Sequence, residues 1–262
     1  AARANAKALA GFPGRLPETL VDAYAIQTAS IARWPDDIVG WKVGMVPEEY
    51  RTPLAAERLS GPIFRSSVFE INPGSSRTMP IYHGGFAAVE AEFIFQIGEI
   101  IEPIKREYSD AELIERVAAL HVGAEIASSP MADINRLGPC CVVSDFGNNE
   151  GLLVGPSVPN WSAVPLDSLT ATVIVDGVVV GEATAAAIHG GLLQALRFLV
   201  NLCASRKLRL TEGMYVSCGA VTGIHDVTVE SNSTVDFGPL GAFDVAFDAM
   251  LPRQQHGASA NA

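Results

Sequence analysis

Hydrophobic and polar positions follow two periods along the chain. In Val89-Glu-Ala-Glu-Phe-Ile-Phe-Gln-Ile97 a period of two puts Val89, Ala91, Phe93, Phe95 and Ile97 on one face of a strand, with Glu90 and Glu92 on the other. Ile38–Met45, His121–Ala127, Met214–Cys218 and Ala242–Phe247 read as further strands. Thr172–Val175 and Val178–Val180 flank Asp176-Gly177, whose tolerance of positive φ suits a two-residue hairpin turn. Helical spacing predicts a helix over Glu18–Ala32, carried by Val21, Tyr24, Ala25, Thr28 and Ile31 and ended by Trp34-Pro35-Asp36-Asp37. Ser109 and Glu112 form a capping-box signature, and Leu113, Val117 and Leu120 extend the predicted helix to Asp110–Leu120. Leu192, Leu193, Leu196, Leu199, Val200 and Cys203 mark a second long helix. Five prolines between residues 47 and 80 predict loops and short strands there. Residues 1–10 are expected to begin a surface helix and residues 253–262 to form a polar, frayed tail.

This order of elements is α+β: strand-rich, with a few helices and no regular βαβ alternation. No glycine-rich dinucleotide fingerprint or phosphate-binding loop is present, which counts against a nucleotide cofactor. The 262 residues carry 18 Lys plus Arg against 29 Asp plus Glu, a net charge of −11 that argues against nucleic acid as a partner. Hydrophobic residues make up 48% of the chain, yet no window is apolar enough to predict a membrane span. The first thirteen residues lack the apolar stretch of a signal peptide. Cys140, Cys141, Cys203 and Cys218 have no zinc spacing, so buried reduced thiols and a cytoplasmic location are expected.

The chemistry concentrates on two strands. Glu90 and Glu92 lie roughly 6–7 Å apart along one strand face, where like charges repel unless water or a cation screens them. A solvated outer face would carry the same pair. Glu125 leaves its strand on the side away from Val122, Ala124 and Ile126, so three carboxylates could converge. Three carboxylates suit a hard divalent ion, Mg²⁺ or Mn²⁺, better than zinc. An anionic substrate would then need a further cation. Lys42 meets that need: in Gly40-Trp-Lys-Val-Gly44 the flanking glycines share its face and clear space for a ligand. Near a metal and partly desolvated, such a lysine is expected to act as acid or base near neutral pH, although edge-strand lysines are also common protection against aggregation.

In order, Ala23–Gln27, Val39-Gly-Trp-Lys-Val-Gly44, Gly61-Pro-Ile-Phe64, Val89-Glu-Ala-Glu92, the Glu125 strand and Asp145-Phe-Gly-Asn-Asn-Glu-Gly151 resemble the 2-oxopent-4-enoate hydratase and 4-oxalocrotonate decarboxylase family of the fumarylacetoacetate hydrolase superfamily. The resemblance spans about residues 22–247. It implies a single domain over 1–262, with a helical segment over about 1–35 and a mixed-β, barrel-like catalytic core over about 36–250. It implies Glu90, Glu92 and Glu125 as metal ligands, Lys42 in the active site, and a cytosolic homo-oligomer acting on 2-oxo or 2-hydroxy acids after aromatic meta-cleavage. A downstream aldolase or another enzyme of the same degradation route is the candidate protein partner.

The chain departs from the pattern in places. The family often carries an acid after Gly-x-Leu-Phe, where this chain has Phe64 followed by Arg65, Ser66 and Ser67. Phe64, Arg65 and Ser66 are accordingly taken as candidate substrate contacts, with Arg65 suited to a second carboxylate or to an ordinary solvated surface. Ser128-Ser129-Pro130 replaces the family's Ser-Arg, and His189-Gly190-Gly191 its Gly-His-Pro. Asp145, in a Gly/Asn-rich turn, is either near the substrate or in a plain Asx turn. Thr222 is a candidate hydrogen-bond donor to a carboxylate. The resemblance points to a metal-dependent hydratase, with decarboxylation second. An acylpyruvate hydrolase, which would need a histidine base such as His83 or His121, and a non-enzymatic binder of 2-oxo acids stand as alternatives.

Overall fold

The computed structural model describes residues 2–104 and 107–253. Thirteen strands and five α-helices follow in chain order: α1 Leu20–Ile31, β1 Ile38–Met45, α2 Glu48–Leu54, β2 Arg58–Phe64, β3 Val68–Glu70, β4 Ser76–Ile81, β5 Phe86–Ile97, α3 Asp110–Glu115, β6 Val117–Ser129, α4 Pro139–Ser144, β7 Asn149–Ser157, β8 Thr170–Val175, β9 Val178–Thr184, α5 Gly191–Arg206, β10 Tyr215–Ser217, β11 His225–Asp226, β12 Asn232–Asp236 and β13 Ala242–Ala249.

Two mixed sheets result. The larger runs β2-β1-β10-β5-β6-β7-β3, with β11 also paired to β5, and the smaller runs β4-β13-β12-β8-β9. The large sheet curls until β2 meets β7. Alternation in β5 decides how the sheets pack. Its apolar set of Val89, Ala91, Phe93, Phe95 and Ile97 joins Val173, Val235, Phe243, Val245 and Phe247 of the small sheet in the main core. Its other face is also covered, because Ala88 and Ala127 pack with Ala23 of α1 and the residues of α4 in a second cluster. The glutamate face of β5 is therefore an interior face, not the solvated one that strand alternation alone allows. No helix among the described residues is long and apolar enough to cross a membrane.

Several expected elements shift for identifiable reasons. The capping box forms as predicted, but α3 stops at Glu115. Val117 and Leu120 belong to β6, which runs back through the predicted helix because it pairs with β5 from Ile97↔Val117 to Phe86↔Ser129. A ladder of twelve residue pairs outweighs one extra helical turn. In α1 the buried positions are Ala23 and Gln27, while Val21 is 79% exposed. The Gln27 amide donates to the Ser60 and Val143 carbonyls, so a polar residue anchors the helix that apolar spacing assigned to another face. Residues 2–6 form turns rather than the start of a helix, and Leu9 bridges to Met131. In the Pro-rich stretch, α2 forms as a short helix that contains Pro53. The 176–177 hairpin turn forms with φ of 50° and 80°. All four cysteines are buried and free. Of the predicted tail, Arg253 is described, and its N–H donates to Ala4; the rest lies outside the described residues.

Candidate metal centre

Strand register builds the site. Glu90 on β5 and Glu125 on β6 are direct cross-strand partners, and Glu92 sits opposite Gly123. Side chains of directly paired residues share a face, so the three carboxylates meet. Gly123 is small not to leave room for a ligand but because a Cβ there would strike the Leu153 carbonyl and the Ile94 side chain. Each offers an oxygen within 4.8 Å of the others. Glu90 is 3% exposed, and Glu92 and Glu125 are fully buried.

Their hydrogen bonds are incomplete. Glu92 accepts from the Gly219 backbone N–H through Oε2 at 2.7 Å, and Glu125 Oε1 accepts from Asn149 Nδ2 at 3.1 Å. Glu90 Oε1, Glu92 Oε1 and Glu125 Oε2 are buried with no partner. Buried carboxylate oxygens without partners are expensive. Three of them converging from neighbouring strands form a donor set that fits a hard divalent cation.

Lys42 is the cation already present. Its Nζ lies 3.0 Å from Glu125 Oε1 and 3.2 Å from Asn148 Oδ1, at 5% exposure. Burial alone would lower its pKa, but Glu125 and Glu90 raise it above the ordinary lysine value, so in the metal-free protein Lys42 holds its proton. The expectation of a readily deprotonated amine concerned a site holding its metal; without one, all three glutamates sit beside the ammonium and favour it. Burial pushes the Glu90 carboxyl up to about 7, moderated by Lys42 and reinforced by Glu125. Glu92 is raised well above the usual range by burial and then by the other two carboxylates.

The two glycines beside Lys42 differ in purpose. A Cβ at Gly44 would approach the Lys42 Cε at 3.8 Å, and Gly44 lines the cavity as expected. A Cβ at Gly40 would come within 2.6 Å of the Tyr215 carbonyl, so that glycine serves the β1–β10 pairing rather than ligand access.

The cavity holding Lys42 and Glu90 has a volume of about 350 Å³ and is also lined by Arg58, Asn148, Cys218 and Gly219. The other candidate contacts lie elsewhere. Beyond Phe64 the chain turns outward in a short 3-10 turn, which carries Arg65 and Ser66 away from the glutamates. Arg65 pairs with Asp37 at 3.5 Å on the surface, and the Ser66 hydroxyl donates to Asp36. Phe64 packs against Trp34 and Phe146. Asp145 pairs with Arg3 at 2.6 Å and accepts from Ser129, lining a separate cavity. Thr222 bonds with the His225 ring and does not line the Lys42 cavity.

Sequence reasoning missed the residues that hold these groups in place. Phe146, Gly147 and Asn148 run through three successive positive φ values, 58°, 67° and 55°, which aim Asn148 at Lys42. Gly61 lets this loop cross β2, since a Cβ there would lie 2.0 Å from the Phe146 carbonyl. Arg3 braces the loop from behind, with bonds to Asp145, Glu150 and the Ser128 and Asn149 carbonyls. Consecutive Gly and Asn residues were the visible signal for the loop; nothing local to Arg3 or Arg58 announced them.

No protein-family model matches the chain, and no curated protein matches it in sequence. Solved structures do match. The 4-oxalocrotonate decarboxylase from Pseudomonas putida G7, complexed with magnesium and adipate, aligns with a TM-score of 0.72 at 21% identity, covering 87% of this chain and 86% of that one. The fumarylpyruvate hydrolase from Pseudomonas aeruginosa, in complex with Mn²⁺ and pyruvate, aligns with a TM-score of 0.60 at 17% identity, covering 80% and 89%. The 2-hydroxyhepta-2,4-diene-1,7-dioate isomerase from Mycobacterium marinum aligns with a TM-score of 0.58 at 13% identity, covering 82% and 77%. This chain shares its fold with these three enzymes.

Proposed function

We propose that the chain is a divalent-metal-dependent lyase acting on 2-hydroxy-dienoates and their 2-oxo-enoate tautomers, foremost as a hydratase that yields a 4-hydroxy-2-oxo acid. The observation that carries the reading is the trio of buried glutamates, each with one unpartnered oxygen, beside a buried lysine. Glu90, Glu92 and Glu125 would hold Mg²⁺ or Mn²⁺. The bound ion would supply Lewis-acid stabilisation of negative charge on the substrate's C2 oxygen. Gly219 fixes Glu92, and Asn149 fixes Glu125, so both carboxylates are oriented before any ligand arrives. Lys42 Nζ, held between Glu125 and Asn148, carries the proton exchanged with the substrate carbon during tautomerisation. Val43, Met45, Leu59 and Ile188 give the cavity beside these groups an apolar wall for the substrate's carbon chain.

Decarboxylation is the second reading, favoured by the likeness to 4-oxalocrotonate decarboxylase. The same residues would serve it, with loss of CO₂ in place of water addition. Acylpyruvate hydrolysis is less well supported, because no histidine among the described residues lines the Lys42 cavity. The test is ultraviolet absorbance with 2-hydroxypenta-2,4-dienoate, 2-oxohex-3-enedioate and an acylpyruvate, with Mg²⁺ or with chelator. Consumption of either of the first two, abolished by chelator and by Glu92→Gln, is expected. Full metal-dependent turnover by Glu92→Gln would refute the ligand assignment, and no turnover of any substrate would leave a binding protein.

A further inference from the structure

The apolar stripe that helical spacing assigns to α1, from Val21 to Ile31, is turned mostly outward. Val21 is 79% exposed, Ala25 and Thr28 are exposed and Tyr24 is half-buried, while Ala23 and the polar Gln27 take the interior face. Beside this stripe α5 carries a second apolar pair outside its buried face, Phe198 and Leu202, four residues apart and half-buried. The two helices enclose an open groove of about 650 Å³. Apolar surface gathered in this way on a chain of net charge −11 marks a contact face. The charges around it are sorted along α1. Glu18 and Asp22 are exposed at its N-terminal end. At the other end Arg33 donates to the Ala29 carbonyl, and Arg206 of α5 donates to the Gln27 side chain and the Thr28 hydroxyl. Among the described residues neither guanidinium is ion-paired with a carboxylate.

We infer that this face binds a second copy of the chain, in a two-fold dimer whose α1 helices run antiparallel and cross near Ala25. The family resemblance implies a homo-oligomer without saying which surface forms it, and the inference does not depend on the lyase reading. Charge selects both the occupant and its orientation. A two-fold contact uses one patch twice, so the patch must complement itself. Antiparallel helices centred on Ala25 bring Asp22 of one copy opposite Thr28 of the other, where Arg206 is bonded, and Glu18 opposite the end that carries Arg33. A parallel arrangement would set Asp22 against Asp22, and like charges opposed across a contact are destabilising. Within one copy the acidic and basic ends lie about 16 Å apart along the helix, beyond the Debye length of ~8 Å at physiological salt, so they do not neutralise each other. Glu18 already pairs with the exposed Arg15, a contact of little worth, which leaves Asp22 and Arg206 as the stronger cross-copy pair. The same arrangement covers Val21 and Ala25 on both copies.

Sedimentation velocity of the purified chain across the micromolar range tests this, with variants at exposed positions that leave the interior untouched. The wild type should self-associate, and Val21→Lys should weaken the association by roughly tenfold or more while keeping the wild-type circular dichroism spectrum. Glu18→Arg and Arg33→Glu should each weaken it, and the two together on one chain should restore it, because the swapped charges again meet across the two-fold axis. Ala25→Cys supplies a direct readout, since all four native cysteines are buried. A short bis-maleimide should join Ala25→Cys into a covalent dimer and leave Val179→Cys, an exposed position on β9, monomeric. A wild type that stays monomeric throughout overturns the inference. Self-association that survives Val21→Lys undiminished, with no cross-link at position 25, overturns it by placing the contact on another face. Weakening by both charge variants with no recovery in the double variant overturns the antiparallel arrangement.

Discussion

Stripped of divalent cations, the protein should lose stability as pH rises from about 4.5 to about 7, and a divalent cation should restore it. Burial raises the Glu90 carboxyl from 4.5 to about 7. Across that interval the folded protein keeps a proton that the unfolded chain has released, so stability falls with rising pH. The shift corresponds to about 3 kcal/mol for Glu90 once it is fully ionised, and Glu92 moves in the same direction. Other groups titrate too, and the net charge of −11 adds repulsion, so the measurement must be differential. Urea unfolding at pH 5, 6, 7 and 8 in chelator, for the wild type and Glu90→Gln, isolates the effect because the amide cannot ionise. The variant should gain up to about 3 kcal/mol on the wild type between pH 5 and pH 8. Adding Mg²⁺ at a hundred times its dissociation constant should return about 2.7 kcal/mol to the wild type and far less to the variant. Parallel pH profiles, or equal rescue of both proteins by Mg²⁺, would refute the picture of a strained carboxylate cluster waiting for a cation.

Three further outcomes test the supports of the site. Gly61→Ala should destabilise the protein by about 2 kcal/mol or more and weaken metal binding, since its Cβ would strike the backbone of the loop that carries Asn148; Gly11→Ala, with nothing within 4 Å, is the control and should leave the thermal midpoint unmoved. Arg3→Met leaves the half-buried Asp145 and Glu150 without their main cation and should cost about 3 kcal/mol in urea unfolding; a loss under 1 kcal/mol would mean that the N-terminal segment does not brace the loop. Arg65→Ala and Ser66→Ala should leave kcat and KM within about twofold, as expected of surface positions remote from the glutamates; a large rise in KM would return them to the substrate site.

What could be read in the sequence was whatever strand periodicity encodes. A period of two puts Glu90 and Glu92 on one face whatever covers that face, and the lysine strand β1 has the bounds its pattern predicts. Burial was not legible, because an alternating strand looks the same whether its polar face meets water or a second layer; here α1 and α4 decide the matter. The over-long α3 has a similar cause. Leu113, Val117 and Leu120 fit a helix as neatly as their neighbours fit a strand, and only the partner β5 breaks the tie. Arg3 and Arg58 were invisible for a different reason: a guanidinium acts through partners more than a hundred residues away, His189 for Arg58 and Asp145 for Arg3.

The arrangement of the site follows from a conflict that the fold leaves unresolved. Directly paired like charges on adjacent strands are destabilising, and burial multiplies the penalty, yet Glu90 and Glu125 are such a pair. A fold selected for stability alone would place apolar residues there, as it does with Val89 and Ile126 one position along the same ladder. One lysine offsets only part of the repulsion, and the unpartnered oxygens show where the rest is directed. The backbone N–H of Gly219 and the Asn149 amide hold the carboxylates so that they cannot swing apart to relieve it. A cluster held under that repulsion gains more from a dication than a relaxed one would, because its carboxylates are already gathered and need not be ordered on binding. The instability of the metal-free site is thus the source of the affinity that the proposed chemistry requires.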